Sequence, residues 1–244
     1  MKKLLSIFLI VLFSVSIAYA NSRIIGQVDE LYRGRENIAG VKNAVTIIKT
    51  ELADDPFNYD LLWRLSRFYY WMGETAAKKD EKLAFYEQGE LYAEKAIAAK
   101  EDGVQGHLYK GIHMGRIGEI KGILKSLAMV DPIRLEMEIV LQYEPESANA
   151  HHVLAELYRK APGWPLSIGN RDKALEEAHL AIKYMPDYTH THLGLAELYI
   201  DMDKKEMARE KLQHIIDMEL PLDYIPEGRE DKVKASELLN KIRK

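Results

Sequence analysis

One five-residue phrase recurs along this chain. Leu-Ala-Glu-Leu-Tyr stands at 154–158 and again at 195–199, and Leu-Ser-Arg-Phe-Tyr at 65–69 has the same shape. A repeat constrains a fold more tightly than composition does, because each unit must bury its apolar face against the next copy. After the last copy, Ala208, Leu212, Ile215 and Leu220 fall at the spacing of a second helix that packs back on the first. After the middle copy, Ala174, Ala178 and Ala181 do the same and the unit ends near Pro186. The repeating unit is therefore a helix, a short turn and a second antiparallel helix. Small residues after the shared leucine, Ser66, Ala155 and Ala196, let two helices approach closely.

This is the tetratricopeptide pattern. Carried upstream, it predicts a first helix over 59–73 with its partner over 83–100, and another first helix over 105–118 with Gly111 in the small-residue column. The partner of that helix is expected to be broken or kinked at Asp131-Pro132 and to resume over 133–143, because an interior proline removes a donor and clashes with the preceding turn. Residues 31–50 read as a helix pair or half repeat, and 231–243 as a closing helix with a charged outer face. The expected fold class is all-α, a tetratricopeptide-like right-handed helical solenoid of antiparallel helix pairs with capping helices, forming a single domain over 21–244. Glycines 111, 115, 118 and 122 share one helical face and predict close helix packing.

The first residues address the chain. Lys2 and Lys3 precede an apolar run from Leu4 to Ile17, and Ala18-Tyr19-Ala20 supplies small residues for a signal peptidase. Residues 1–20 are expected to be a leader cleaved after Ala20. The apolar run is shorter than the roughly 20 residues of a membrane span. With no cysteine in the chain, neither a lipoprotein anchor nor a disulfide is available, and the expectation is a soluble periplasmic or secreted protein. Losing the leader removes two lysines and no acid, so the net charge moves from −4 to −6. An acidic protein of this kind argues against a nucleic-acid partner, which would require a basic stripe.

Residues 160–170, Lys-Ala-Pro-Gly-Trp-Pro-Leu-Ser-Ile-Gly-Asn, interrupt the helical pattern. Against the last repeat they form an insertion of about seven residues at the turn between first and second helix, a length typical of ordered connecting loops. Asn170 is placed to cap the helix that starts at Arg171. Trp164 is expected to anchor the turn by packing on a neighbouring repeat, and Trp164, Pro165 and Ser167 are the loop's candidates for contact with a partner or ligand. Ser167 lacks the first glycine and preceding strand of a nucleophile elbow, which leaves a serine hydrolase as the weakest of the functional readings.

In a helical-pair solenoid the first helices line the concave face. The residues exposed there lie two before the shared leucine and two, five and six after it. That register selects Trp63, Arg67, Tyr70 and Trp71 in the first repeat, His152, Glu156, Arg159 and Lys160 in the third helical pair, and Leu193, Glu197, Ile200 and Asp201 in the last. Aromatics beside an arginine suit a peptide or a small apolar or carboxylate ligand. His107, His151 and His192 open first helices at corresponding points, so a shared structural role is expected of them; a cross-repeat metal cluster is the alternative. No metal or cofactor is called for, and no enzyme activity.

"GHLYKGIHMGRIGEIKGILKSL" and "LAELYRKAPGWPLSIGNRDKALEEAHLAIKYMPDY" together carry a more specific signal. Over residues 28–217 the chain resembles the T-component family of tripartite ATP-independent periplasmic (TRAP) transporters, with the Ala-Pro-Gly-Trp-Pro-Leu-Ser-x-Gly run as the most specific part. The resemblance implies a tetratricopeptide-like fold, a homotrimer, a cleft with an apolar pore, and a periplasmic solute-binding subunit as protein partner. Better-known members look like lipoproteins with an N-terminal cysteine, and this chain has none. The rival within binding proteins is a general envelope adaptor that recognises peptides without transport.

Overall fold

The computed structural model describes residues 22–242. The leader and its cleavage point at Ala20 lie outside them. The chain forms two compact units, one ending at Pro56 and the other beginning at Phe57. In the first, helix α1 (residues 22–33) and helix α2 (Ile38–Asp54) are separated by a short turn. Asn37 caps α2 by accepting the amides of Ala39 and Gly40, as short polar side chains do at helix starts.

The second unit is a succession of antiparallel pairs: α3 (Tyr59–Thr75) with α4 (Lys79–Ala99), α5 (Val104–Lys121) with α6 (Ile123–Tyr143), α7 (Ala148–Lys160) with α8 (Arg171–Tyr184), and α9 (Thr189–Asp201) with α10 (Lys205–Asp217). Helix α11 (Ile225–Ile242) closes the series. Among the described residues there is no strand. The tetratricopeptide-like solenoid follows from the sequence as expected. Each first helix packs on its own partner and on the next first helix, so α3, α5, α7 and α9 form an inner layer.

The small-residue column does the expected work. Ser66, Ala155 and Ala196 are buried, and the Ser66 hydroxyl donates to the Gly89 carbonyl at 2.8 Å. A Cβ at Gly111 would lie 2.5 Å from Met137 Cε, and one at Gly118 would lie 3.1 Å from the Ser126 backbone, so these two glycines permit the α5–α6 contact.

Two boundaries and one side chain differ from expectation. Helix α6 runs through Pro132 without interruption, and the chain turns instead at Gly122, whose φ of 95° only glycine adopts readily. Helix α11 begins at Ile225, six residues before the expected start, because Pro226 sits in a first turn where its missing amide costs nothing. Trp164 does not anchor its loop: it is 90% exposed. The loop is held by its backbone, with Gly169 N donating to Pro162 O at 2.9 Å, Asn170 N to Tyr158 O at 2.9 Å, and Leu166 N to Gly163 O at 3.1 Å. Asn170 caps α8 as expected, accepting from the amides of Asp172 and Lys173.

Candidate functional site

The repeated histidines show how the scaffold is joined. In each of three units the ring Nε2 meets a carbonyl six residues earlier: His107 with Glu101, His151 with Pro145 and His192 with Pro186, at 2.9, 3.1 and 2.7 Å. In the first two, Nδ1 meets a carboxylate on the second helix at 2.6 Å, Glu136 and Glu177 respectively. The hydrogen bond that Glu136 accepts raises the His107 pKa against the effect of burial. Burial pulls His151 down, but Glu177 and the Pro145 carbonyl raise it overall. In the last repeat the matching position is Lys211, and His192 Nδ1 is buried without a hydrogen bond. Burial, Lys211 and His214 lower its pKa.

These rings are therefore clamps between the preceding turn and the second helix. His152 and His190 also meet, with ring centroids 4.9 Å apart, as do His192 and His214 at 5.0 Å. Among the described residues no group of three or more His, Asp or Glu side chains is placed to hold a metal ion.

The inner layer has two chemically distinct ends. On α3 and α5, Trp63 stacks on Tyr109 with ring centroids 6.3 Å apart, while Arg64 and Arg67 lie over the Trp63 ring at 4.2 and 5.0 Å. Tyr70 lies next along the helix, its hydroxyl accepting from Arg116 at 3.4 Å, and burial pushes its pKa to about 12. Trp71 is buried, facing the small cavity described below and not open solvent. Trp63, Arg67 and Tyr70 thus come together on one stretch of the inner face, with Tyr109 as a fourth member that the sequence register missed. Tyr109 occupies the α5 position two before Gly111, one removed from the register applied to the other helices.

Toward α9 the inner face is a continuous chain of ion pairs. Glu74 on α3 meets Arg116 on α5 at 2.9 Å, Arg116 meets Glu119 at 3.1 Å, and Glu119 meets Lys160 on α7 at 2.9 Å. Lys160 and Arg159 both hold Glu156, at 3.1 and 2.8 Å. Arg159 continues to Glu197 and Asp201 on α9, at 2.9 and 2.7 Å. Burial would raise the Glu156 carboxyl, but Arg159 and Lys160 hold it well below the usual carboxylate range. His152 sits beside this network, lowered to about 3 by burial and by His190. The predicted residues Glu156, Arg159 and Lys160 are thus engaged with one another and with the neighbouring first helices.

Helix α11 covers the last repeat. Leu193, read from the sequence as a concave-face residue, is buried with Ala196, Leu212, Ile215, Ala235 and Leu239, and Ile200 packs against that cluster. Lys234 of α11 reaches Glu197 at 2.5 Å. The start of α11 faces the inner layer across a cavity of about 60 Å³, with Tyr70, Glu74, Arg116 and His190 on the inner-layer side and Glu227, Glu230 and Asp231 on α11. The loop candidates stand apart from all of this. Trp164, Pro165 and Leu166 are exposed, Ser167 is half-buried, and no histidine is hydrogen-bonded to Ser167 among the described residues.

A profile of the family described as Regulator of microtubule dynamics protein 1-3 matches residues 24–160, more than half of the chain. The chain belongs to this family. Regulator of microtubule dynamics protein 3 from Rattus norvegicus is 27% identical over 128 residues, covering 52% of this chain and 27% of the rat protein. The Bos taurus protein of the same name is 25% identical over the same length. The matched stretch is thus about a quarter of the length of these relatives. Among solved structures, the thermophilic TPR protein TTC0263 from Thermus thermophilus superposes with a TM-score of 0.67 at 15% identity, covering 88% of this chain and 98% of that one. The likeness establishes the tetratricopeptide fold. The family match takes in α1 to α7 and ends at Lys160, so the 161–169 loop lies outside it.

Proposed function

We propose that this chain is a non-enzymatic, exported scaffold whose inner face engages a protein partner through the α3–α5 end. The observation that carries this reading is the cluster of Trp63, Tyr109, Tyr70 and Arg67, flat apolar rings with a guanidinium alongside. Such a cluster suits a segment that combines an apolar side chain with a carboxylate, the rings covering carbon and the arginine meeting the acid. What it shares with its curated relatives is a stretch of 128 matched residues. Their connection with microtubule dynamics belongs to much longer proteins, and the leader at residues 1–20 directs this chain into an exported compartment. Panning a peptide library against the mature protein tests the reading. Selected peptides should lose at least tenfold in affinity to Trp63→Ala combined with Arg67→Ala, and unchanged affinity would remove the cluster from the function.

The loop favours one specific partner class. Trp164 and Leu166 are 90% and 80% exposed on a turn locked by its own backbone, and this is the segment that most resembles the transporter T-components. A periplasmic solute-binding subunit is the corresponding partner, with the homotrimer of that family as the assembly. Co-purification from periplasm should recover such a subunit with the wild-type chain and lose it with Trp164→Ser and Leu166→Ser. Recovery of none, with the transporter expressed, would leave the general adaptor reading.

A further inference from the structure

Helix α11 consists of two chemically different halves. From Ala235 onward it is apolar toward the scaffold: Ala235 and Leu239 are buried with Leu193, Leu212 and Ile215, and Leu238 and Ile242 pack against the same cluster. Its first two turns pack locally, with Pro226 and Gly228 buried and Gly228 close against Leu220 just upstream, and meet the inner layer through polar contacts. Asp231 accepts from the Thr189 hydroxyl at 2.7 Å and pairs with His190 Nδ1 at 3.0 Å, and Lys232 donates to the Met218 carbonyl at 2.6 Å. Beyond these, Glu227 and Glu230 face Tyr70, Glu74 and Arg116 across the 60 Å³ cavity. Ahead of them, the Tyr224 ring meets Tyr188 at 4.6 Å. The fit there is imperfect, since Glu74, Glu227, Glu230 and Asp231 crowd one space. Burial and those three carboxylate neighbours push the Glu230 carboxyl up.

Such a segment is easily exchanged. Buried apolar contacts are lost outright when a helix leaves, but a competing segment can remake the carboxylate contacts of Asp231 to Thr189 and His190 one for one, so the net cost of exchange is small. The anchored half keeps the displaced half close by, as a tethered competitor.

We propose that the turn of α11 carrying Glu227, Glu230 and Asp231 is an internal occupant of the groove, and that a partner displaces it with a helix bearing carboxylates at the same i, i+3, i+4 spacing. The inference rests on the inner-face reading above and names the chemistry of the segment that face selects. It turns the closing helix into a gate on the scaffold's own binding surface, opened by a mimic of itself.

The test uses the full chain and a synthetic peptide spanning residues 222–238. A released variant carries Glu227→Ala, Glu230→Ala and Asp231→Ala. A locked variant carries Glu74→Cys and Glu230→Cys joined by a short bis-maleimide, which the absence of native cysteine makes selective. The peptide should bind the released variant at least tenfold more tightly than wild type and should not bind the locked one. Equal binding to released and locked chains, or none to the released chain, overturns the proposal. Hydrogen exchange of the unmodified protein is a second readout, with amides of 227–231 expected to exchange at least tenfold faster than those of 235–241. Equal protection of the two halves also overturns it. The wider reading fails separately, if selected peptides ignore the Trp63 and Arg67 substitutions.

Discussion

The two ends of the inner face occupy equivalent positions in the repeat and do different things. At the α3–α5 end, Trp63, Tyr109 and Tyr70 present rings beside guanidinium groups. At the α7–α9 end, Glu156, Arg159, Lys160, Glu197 and Asp201 satisfy one another across three first helices. A repeat register treats both alike. The difference teaches that the repeat register fixes where a concave side chain stands, while its neighbours decide whether it is tied mainly into ion pairs or stacked mainly among rings.

The comparison breaks most readily at Arg159. Replacing it with alanine removes the cation shared by Glu156, Glu197 and Asp201, and although Lys160 and Lys234 still meet the first two, the cost is about 3 kcal/mol. Thermal melting should fall by roughly 10 °C for a unit of this size, and a loss of only a degree or two would mean that the network is ornamental.

The histidine clamps give the next largest effect and set the pH response. His107 and His151 have raised pKa values when folded, so their contribution is full below about 6.5 and is lost as pH rises through the raised values. Glu136→Gln with Glu177→Gln should cost about 2 kcal/mol near pH 6 in urea titrations, with a smaller deficit above pH 8. His113 works in the opposite sense. Buried between helices and held down to about 4, it stays neutral, so stability should fall as pH drops from about 6.5 toward 4 in both proteins. A deficit independent of pH would detach the clamps from titration.

The last repeat offers a gain instead of a loss. Lys211→Glu places a carboxylate where Glu136 and Glu177 stand in the earlier units, giving His192 Nδ1 a partner. Stability should rise by about 1 kcal/mol at pH 6, and destabilisation would show that the three units are not equivalent at this point. The smallest effect belongs to the loop. Trp164→Ser with Leu166→Ser should change stability by no more than about 0.5 kcal/mol, because both side chains are in solvent.

Much of the fold is legible because its rules are local. The shared leucine, the small residue after it and the asparagine caps before α3 and α8 each act within a few residues, and the repeat they mark places the helix pairs from α3 to α10. What escapes is set by tertiary context. Pro132 reads as a break or a kink, yet α6 is not broken there, with Ile133, Met137 and Val140 buried just beyond it, and the chain turns at Gly122. Trp164 reads as an anchor, yet the loop's backbone bonds close it without the ring. The cavity between α11 and α3 joins residues some 155 positions apart in sequence, so nothing near Glu74 signals that Glu230 will face it. Candidate residues were legible as positions, but their division into surface and scaffold required the neighbours.

The most direct test compares the two ends with one ligand. A peptide selected against the mature chain should bind at least tenfold more weakly to Trp63→Ala with Arg67→Ala, and within twofold of wild type to Lys234→Ala, which trims the ion-paired end at Glu197. Equal losses in the two variants, or a loss confined to Lys234→Ala, would contradict the assignment of the aromatic end as the binding surface.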